Sequence, residues 1–279
     1  MKPWKLIATA ANPGNDDLRL WQRDAEFMVR AGSTELMSSR RHGSEEAMAV
    51  AALSAIAREG ARVLIGGLGF GYTLRATLNH LGLRGHVLVA EISNDIIAWN
   101  RRLLGNLAGH PMHDRRVTIQ CTDVRRILAR ASGPSSRGRY DAILVDIDNG
   151  PWPLVAKSNR LLWEPAGISA IVQAMRPEAV LVVWSTGPDP KFVARLRAGG
   201  FAVKLESVRA EGGRGARHML FVARQAARAA RVESDGLDDL GQRLHRGRPH
   251  DAARGPGRGA VPRADTRSSC RWDGRRQVG

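Results

Sequence analysis

The sequence predicts an α/β fold built on a seven-stranded, mostly parallel, doubly wound sheet, with a short β-hairpin before it and a disordered tail after it. Short, continuously apolar runs recur between residues 61 and 224, and amphipathic segments separate them. Continuous apolar runs indicate strands buried on both faces, and their alternation with helical segments is typical of parallel sheets covered by helices. The last two runs are joined by a glycine-rich loop without a helix, which predicts a closing antiparallel hairpin.

The predicted strands and helices follow one another in a regular order. The strands comprise residues 62–66, 86–92, 116–121, 140–146, 179–184, 201–208 and 218–223. The helices comprise residues 72–81, 94–107, 123–131, 165–175 and 189–198. This order outlines the architecture of class I methyltransferases, which is a Rossmann-like variant of the doubly wound fold.

The N-terminal region is predicted to form a small separate unit. Residues 26–39 have the pattern of two short strands, with a turn at Gly32 and Ser33. We expect residues 1–43 to be a hairpin segment that packs on a cofactor-binding catalytic domain of residues 44–224.

A helix is expected to enter that domain. Ser44 is the predicted N-cap, Glu45 and Glu46 favour the positive N-terminal end, and Gly60 is the predicted end of the helix.

The chain is strongly basic, with a formal net charge of +16. Only five of its 43 basic residues are lysines, so a general arginine bias explains the charge better than a designed nucleic-acid groove. Residues 225–279 are rich in Arg, Gly and Pro and have few large apolar side chains, which predicts disorder. We expect nucleic acid to bind, if at all, weakly and through this basic tail.

Cysteine usage and hydropathy restrict the compartment. Cys121 and Cys270 cannot make a disulfide framework and lack metal-ligand spacing, so we expect a cytoplasmic protein without a metal. The N-terminus lacks the apolar stretch of a signal peptide, and no segment approaches the roughly 20 apolar residues of a membrane span. No membrane partner is expected.

Four glycines lie within six positions directly after the first predicted strand. Gly67, Gly69 and Gly71 give the pattern G-x-G-x-G, and Tyr72 stands where the last glycine of a dinucleotide fingerprint would be. This spacing is typical of the loop over which S-adenosylmethionine lies. A purely structural turn is the alternative.

Two acidic residues follow at the ends of the next two strands. Glu91 lies 24 residues after Gly67, where a carboxylate can accept both hydroxyls of a ribose. Asp123 lies where this architecture meets the adenine amino group. The alternatives are an ordinary strand-end acid for Glu91 and a helix N-cap for Asp123. Because open α/β sheets bind ligands at the carboxyl ends of their strands, these residues together predict a nucleoside site.

Asp146 and Asp148 end the fourth predicted strand. Two carboxylates beside a sulfonium donor can hold a cationic amine, orient its lone pair or take its proton. Their proximity is expected to raise one pKa. For Asp148 the alternative is a structural role in the turn that includes Asn149.

The motifs resemble those of the spermidine/spermine synthase family of aminopropyltransferases, from about residue 60 to residue 225. "VLIGGLGFGYTLR" resembles that family's glycine loop, "VLVIGGGDGGTLR", and "VAEIS" resembles its V-E-I-D strand. "YDAILVDIDNGP" resembles its "YDVIIVDSSDP". The resemblance implies that Glu91 binds the ribose and that Asp146 is the catalytic acidic residue.

The chain also departs from the family pattern. Phe70 replaces a loop aspartate that the family links to decarboxylated S-adenosylmethionine, and Trp184 replaces a glutamine. Asn149 falls on the family's second aspartate, and the entry helix lacks the Tyr of a Tyr-His/Gln-Glu motif.

The resemblance implies a transferase that moves an aminopropyl or other alkyl group to a small-molecule amine. The donor would be S-adenosylmethionine or its decarboxylated form, and a homodimer is compatible with the family. One alternative is an S-adenosylmethionine-dependent methyltransferase, which the loss of the loop aspartate favours. A second is a non-catalytic or RNA-binding member of the family.

Overall fold

The structure is a computed structural model, and it describes most of the chain up to Gln225. The described residues are 2–12, 16–54, 56, 58–131, 140–147, 157–211 and 214–225. Asp148, Asn149 and residues 226–279 of the predicted tail lie outside them.

The N-terminal residues form a four-stranded antiparallel sheet. Its strands, in spatial order, are β1 (Lys5–Ala10), β2 (Leu18–Arg23), β3 (Glu26–Ala31) and β4 (Thr34–Ser38). The predicted hairpin with its turn at Gly32 and Ser33 is therefore confirmed as β3 and β4. Two further strands, β1 and β2, precede it and were not predicted.

A seven-stranded sheet forms the centre of the protein. Its strands are β5 (Arg62–Gly66), β6 (His86–Glu91), β7 (Val117–Cys121), β8 (Tyr140–Val145), β9 (Met175–Ser185), β10 (Phe201–Glu211) and β11 (Arg214–Gln225). The spatial order is β10-β11-β9-β8-β5-β6-β7, in which β5 to β9 are parallel and β11 runs antiparallel to both of its neighbours. The predicted fold class and the closing hairpin are confirmed.

Helices cover both faces of this sheet. They are α1 (Gly43–Leu53), α2 (Tyr72–His80), α3 (Asn94–Trp99), α4 (Val124–Ala131), α5 (Pro165–Ala174) and α6 (Pro190–Ala198). Apolar side chains of α1, α2 and α3 pack on one face, and those of α4, α5 and α6 pack on the other. The central strand β8 shows why the apolar runs are continuous: all six of its residues are buried, and successive side chains enter opposite cores.

Two predicted helices differ from the observed ones. The helix predicted to run to Gly60 ends at Leu53, because the chain turns there and Ile56 packs against the core. The N-cap position is His42, and Ser44, the predicted N-cap, is buried in the first turn. The helix predicted over residues 94–107 is α-helical only to Trp99 and continues as π- and 3₁₀-helical turns.

Backbone crowding accounts for Gly67 in the glycine loop between β5 and α2, whereas Gly69 and Gly71 share only its positive φ. Gly67 has a φ of +92°, and a Cβ added there would lie 2.2 Å from the main-chain carbonyl oxygen of Asp146. Gly71, with a φ of +84°, is the N-cap of α2. A Cβ at Gly69 would meet only the sulfur of Met37, at 3.8 Å. The loop thus passes so close to the end of β8 that only glycine fits at Gly67.

We expect Gly67→Ala to destabilise the protein by roughly 3 kcal/mol or more, because its methyl group would strike rigid backbone. The matched change Gly69→Ala should cost only about 1 kcal/mol, mainly from its left-handed backbone conformation. Urea unfolding of both variants measures the difference. Equal losses of stability would show that the contact with β8 does not constrain the loop.

Candidate functional site

A cleft of about 900 Å³ lies at the carboxyl ends of the parallel strands. The glycine loop and the residues that follow β6, β7 and β8 form its floor, while α1 and the N-terminal strand β4 contribute further lining residues. Ligands of open α/β sheets bind at this edge, and the volume suits a small molecule. Of the four predicted site residues outside the glycine loop, the cleft brings together Glu91, Asp123 and Asp146. Gly67 and Gly69 also line it, whereas Gly71 is not among its lining residues.

Glu91, the last residue of β6, ties the glycine loop to the next strand. Its Oε2 accepts a hydrogen bond from the backbone N–H of Leu68 at 2.9 Å, and its Oε1 accepts one from Ser93 at 2.8 Å. Burial raises the pKa of this carboxyl, while hydrogen bonds from the backbone of Ser93, Leu68 and Ile92 oppose the shift. Each oxygen retains a lone pair, so the carboxylate can accept further hydrogen bonds from a ligand's hydroxyl groups.

Asp123 lies between β7 and α4 and acts as a helix cap. Its Oδ1 accepts the backbone N–H of Arg125 at 2.8 Å, and its Oδ2 accepts the guanidinium of the same residue at 2.5 and 2.9 Å. The capping alternative is therefore present in the structure. Asp123 also lines the cleft, and its Oδ1 accepts only one of these three hydrogen bonds.

Asp146 follows β8 directly and lines the cleft. Its Oδ2 accepts a hydrogen bond of 2.6 Å from the hydroxyl of Thr73 on α2, and its backbone N–H donates to Gly66 at 2.9 Å. Burial raises the pKa of the Asp146 carboxyl, which the Thr73 hydroxyl partly offsets. Its predicted companion, Asp148, lies outside the described residues.

Glu45 of α1 lines the cleft, although its position in the sequence predicts only a favourable interaction with the helix N-terminus. Burial raises the pKa of its carboxyl to about 7, helped by repulsion from Asp146 and opposed by a hydrogen bond from Ser44. A signal for it exists in the sequence: Met48, Ala49 and Ala52 are all buried, and they lie three, four and seven positions after Glu45. An acidic residue on the apolar face of a predicted helix therefore indicates a carboxyl group that is turned towards the interior of the protein.

A hydrogen-bonded chain connects Glu45 to the far side of the cleft. The Ser44 hydroxyl donates to Glu45 Oε2 at 2.7 Å, and its oxygen lies 3.0 Å from Nδ1 of His218 on β11. Since the hydroxyl has one proton, Nδ1 of His218 is the donor in the second contact whenever Glu45 is ionised. The His218 ring packs edge-on against Trp184, with 4.7 Å between the centroids.

Apolar side chains line the cleft beside the glycine loop. Phe70 is only 4% exposed and meets Tyr72 edge-on, and Met37 of β4 approaches the same loop. The indole Nε1 of Trp184 is buried and finds no hydrogen-bond partner among the described residues. The loop position that is an aspartate in the resembled family is thus part of an apolar wall here.

Two further observations concern the described residues alone. They contain no group of three or more His, Cys, Asp and Glu side chains that could hold a metal ion. None of the helices in them is both long and apolar enough to cross a membrane.

No protein-family model matches the chain, and no curated protein matches its sequence. Solved structures do share its fold. The spermidine synthase from Thermotoga maritima aligns with a TM-score of 0.62 and 14% identity, over 79% of this chain and 72% of that chain. A spermidine synthase in complex with the transition state analogue AdoDATO aligns with a TM-score of 0.58 and 14% identity, over the same shares.

A methyltransferase shares the fold as well. Human methyltransferase-like protein 13, in complex with SAH, aligns with a TM-score of 0.50 and 18% identity, over 70% of this chain and 86% of that chain. The chain therefore has the fold that spermidine synthases share with class I methyltransferases. The resemblance expected from the motifs is confirmed at the level of the fold.

The raised pKa of Glu45 predicts a pH-dependent stability. In the unfolded chain its pKa returns to about 4.5, so ionising Glu45 costs folding free energy progressively between about pH 4.5 and about pH 7. Glu45→Gln keeps an acceptor for Ser44 and removes this cost. We expect its melting temperature to match that of the parent near pH 5 and to exceed it by roughly 5 °C at pH 8.

Differential scanning fluorimetry across that pH range is the measurement. Glu46→Gln is the matched control, because Glu46 is exposed on the same helix. A pH-independent difference for Glu45→Gln, or an equal gain for the control, would contradict the assignment of the raised pKa to Glu45.

Proposed function

We propose that the protein is a transferase that moves an alkyl group, in the first place an aminopropyl group, from an adenosyl sulfonium donor to a small-molecule amine. The observation that carries this proposal is the joint presence, in one cleft, of a buried strand-end carboxylate at Glu91 and a pair of interacting carboxyls at Asp146 and Glu45. The Glu91 carboxylate is placed to accept the hydroxyl groups of a nucleoside. The carboxyl groups of Asp146 and Glu45 together favour the binding of a cation.

The donor side of the proposal rests on the glycine loop and Glu91. Residues 67–70 line the cleft, where a ligand can pass close to their backbone, and the N–H of Leu68 holds the Glu91 carboxyl beside them. A ribose would donate its two hydroxyl groups to the carboxylate of Glu91. Asp123 is the proposed contact for the adenine amino group, and the apolar wall at Phe70 would lie along the remainder of the donor.

The acceptor side rests on the desolvated carboxyls. Burial and mutual repulsion make their ionised forms costly, and an ammonium group placed between them relieves that cost. Asp146 is the proposed catalytic acidic residue because it follows the strand next to the glycine loop and is held by Thr73. Asp148 remains a proposed second acid of this site.

The donor, when bound, supplies a carbon made electrophilic by the neighbouring sulfonium. The protein then has to bind the amine, orient its nitrogen in line with that carbon and sulfur, and exclude water. Fixed carboxylates in a narrow cleft perform the first two tasks. The apolar side chains of Met37, Phe70 and Trp184 would perform the third.

Glu91→Gln should weaken binding of S-adenosylmethionine and of S-adenosylhomocysteine by about ten-fold or more, because one hydroxyl would face an amide N–H in place of an acceptor. Isothermal titration calorimetry with both compounds measures this. Asp95→Asn is the control, since Asp95 is an exposed carboxylate that lines the same cleft. Unchanged affinity in Glu91→Gln would remove this residue from the donor site.

Asp146→Asn should reduce turnover by about 100-fold or more while leaving donor affinity within a few-fold, because its carboxylate serves the amine and not the adenosine. The assay supplies putrescine with either S-adenosylmethionine or its decarboxylated form and identifies products by mass spectrometry. Turnover at the parental rate in Asp146→Asn would refute its role.

Methyl transfer is the second candidate, and Phe70 favours it. A buried phenyl ring replaces the aspartate that the resembled family links to the decarboxylated donor. In the same assay, a methylated amine and no aminopropylated product would select this candidate. Failure of both donors and of S-adenosylhomocysteine to bind would leave a non-catalytic protein.

A further inference from the structure

The proposed donor site makes no use of the hydrogen-bonded chain from His218 through Ser44 to Glu45. It joins β11 to the first turn of α1 and ends at a carboxyl group that lines the cleft. Ser44 is only 1% exposed, so both of its contacts are shielded from competing water. Such a chain restricts the orientation of the Glu45 carboxyl, which lines the cleft.

We propose that Glu45 is the group that takes the proton from the acceptor ammonium, and that His218 and Ser44 are positioning residues for it. Asp146 then serves to bind the ammonium and to keep the nitrogen directed at the donor. The inference rests on the proposed amine-alkylating function and adds the residue that activates the amine.

The proton and electron balance of this step is simple. The ammonium gives one proton to the Glu45 carboxylate and becomes a neutral amine. The nitrogen lone pair forms the new N–C bond, the C–S bond breaks, and its electron pair stays on sulfur as a neutral thioether. The newly alkylated nitrogen carries one positive charge, and Glu45 releases its proton to solvent when the products leave.

The surroundings of Glu45 determine which group titrates in this step. Elements packed around it bring these titratable groups: Asp146 after β8, Tyr72 of α2, Glu46 of α1, His218 of β11 and Arg41 before α1.

Two of these groups are kept neutral near pH 7. Burial, with Glu45 and Glu46 nearby, raises the pKa of Tyr72 to about 12. Burial and the guanidinium of Arg41 lower the pKa of His218. Neither side chain then carries a charge that would neutralise the carboxyl pair, so Glu45 and Asp146 bear the titration between them.

The first test measures protons without turnover. Putrescine is titrated into the protein saturated with S-adenosylhomocysteine, at pH 7, in two buffers of different ionisation enthalpy. Because Glu45 has a pKa of about 7 and an ammonium favours its ionised form, roughly half a proton should leave per amine bound. Glu45→Gln should remove most of this release and leave at most the smaller share of Asp146, whereas Glu46→Gln should retain it in full.

The second test separates positioning from mere structure. Activity should rise with pH as Glu45 ionises. Ser44 lowers the pKa of Glu45, so Ser44→Ala should move the acidic limb of the kcat/KM profile to higher pH. Ser44→Thr, which restores a hydroxyl, should move the limb back. His218→Phe should also shift the acidic limb of the kcat/KM profile, while the affinity for S-adenosylhomocysteine should stay close to that of the parent protein.

The outcomes distinguish this inference from the proposed function. If the parent protein transfers the alkyl group and Glu45→Gln keeps both the proton release and the acidic limb, the role of Glu45 is wrong and the proposed function stands. If the parent shows no transfer from either donor, although proton release on amine binding depends on Glu45, the proposed reaction is wrong. An acidic limb that does not move in Ser44→Ala or His218→Phe overturns the positioning roles.

Discussion

The geometry of the cleft depends on a contact between two backbones. At Gly67 the loop after β5 passes the carbonyl group of Asp146 with no room for a side chain. Two hydrogen bonds secure the crossing: the N–H of Gly67 donates to Ala90 of β6, and the N–H of Asp146 donates to Gly66. The ends of three adjacent strands are thereby locked together. Glu91 and Asp146 keep their separation because the loop between them cannot move independently of either strand.

The same cleft contains buried carboxyl groups whose ionised forms destabilise the folded protein. Three carboxyl groups, at Glu45, Glu91 and Asp146, have pKa values raised by burial, which means that their ionised forms are poorly solvated. A protein selected for stability alone would replace such groups with neutral ones. Their presence on a single sheet edge, next to a loop with little side-chain bulk, is the pattern expected of a binding site that a ligand completes.

The central sheet could be predicted from the sequence because strands such as β8 are buried along their whole length and read as unbroken apolar runs. The strand β1 could not, since most of its residues are exposed or half-buried and its pairing with β2 is what orders it. The early end of α1 at Leu53 is likewise set by tertiary packing, which favours a turn over a continued helix.

The residues of the candidate site also fall into those that the sequence could predict and those that it could not. Glu91 and Asp146 could be predicted because strand ends meet at one edge of a parallel sheet. Glu45 reaches that edge from a helix 101 positions before Asp146, and His218 reaches it from the last described strand. Their proximity is a property of the folded chain, and no local spacing encodes it. Of these two residues, only Glu45 could be recognised from the sequence, because it lies on the apolar face of α1.

The origin of the cleft residues has a consequence for how such a protein can diversify. The loop and strand ends proposed for the donor belong to the α/β sheet, whereas Met37 and Glu45 come from β4 and α1, at the N-terminal end of the chain. Substitutions of Met37 and Glu45 can alter the space and charge offered to a second molecule without changing any residue of β5, β6 or β8. Under the proposed function, acceptor range and donor recognition would thus evolve separately, as two heritable traits carried by different stretches of one chain.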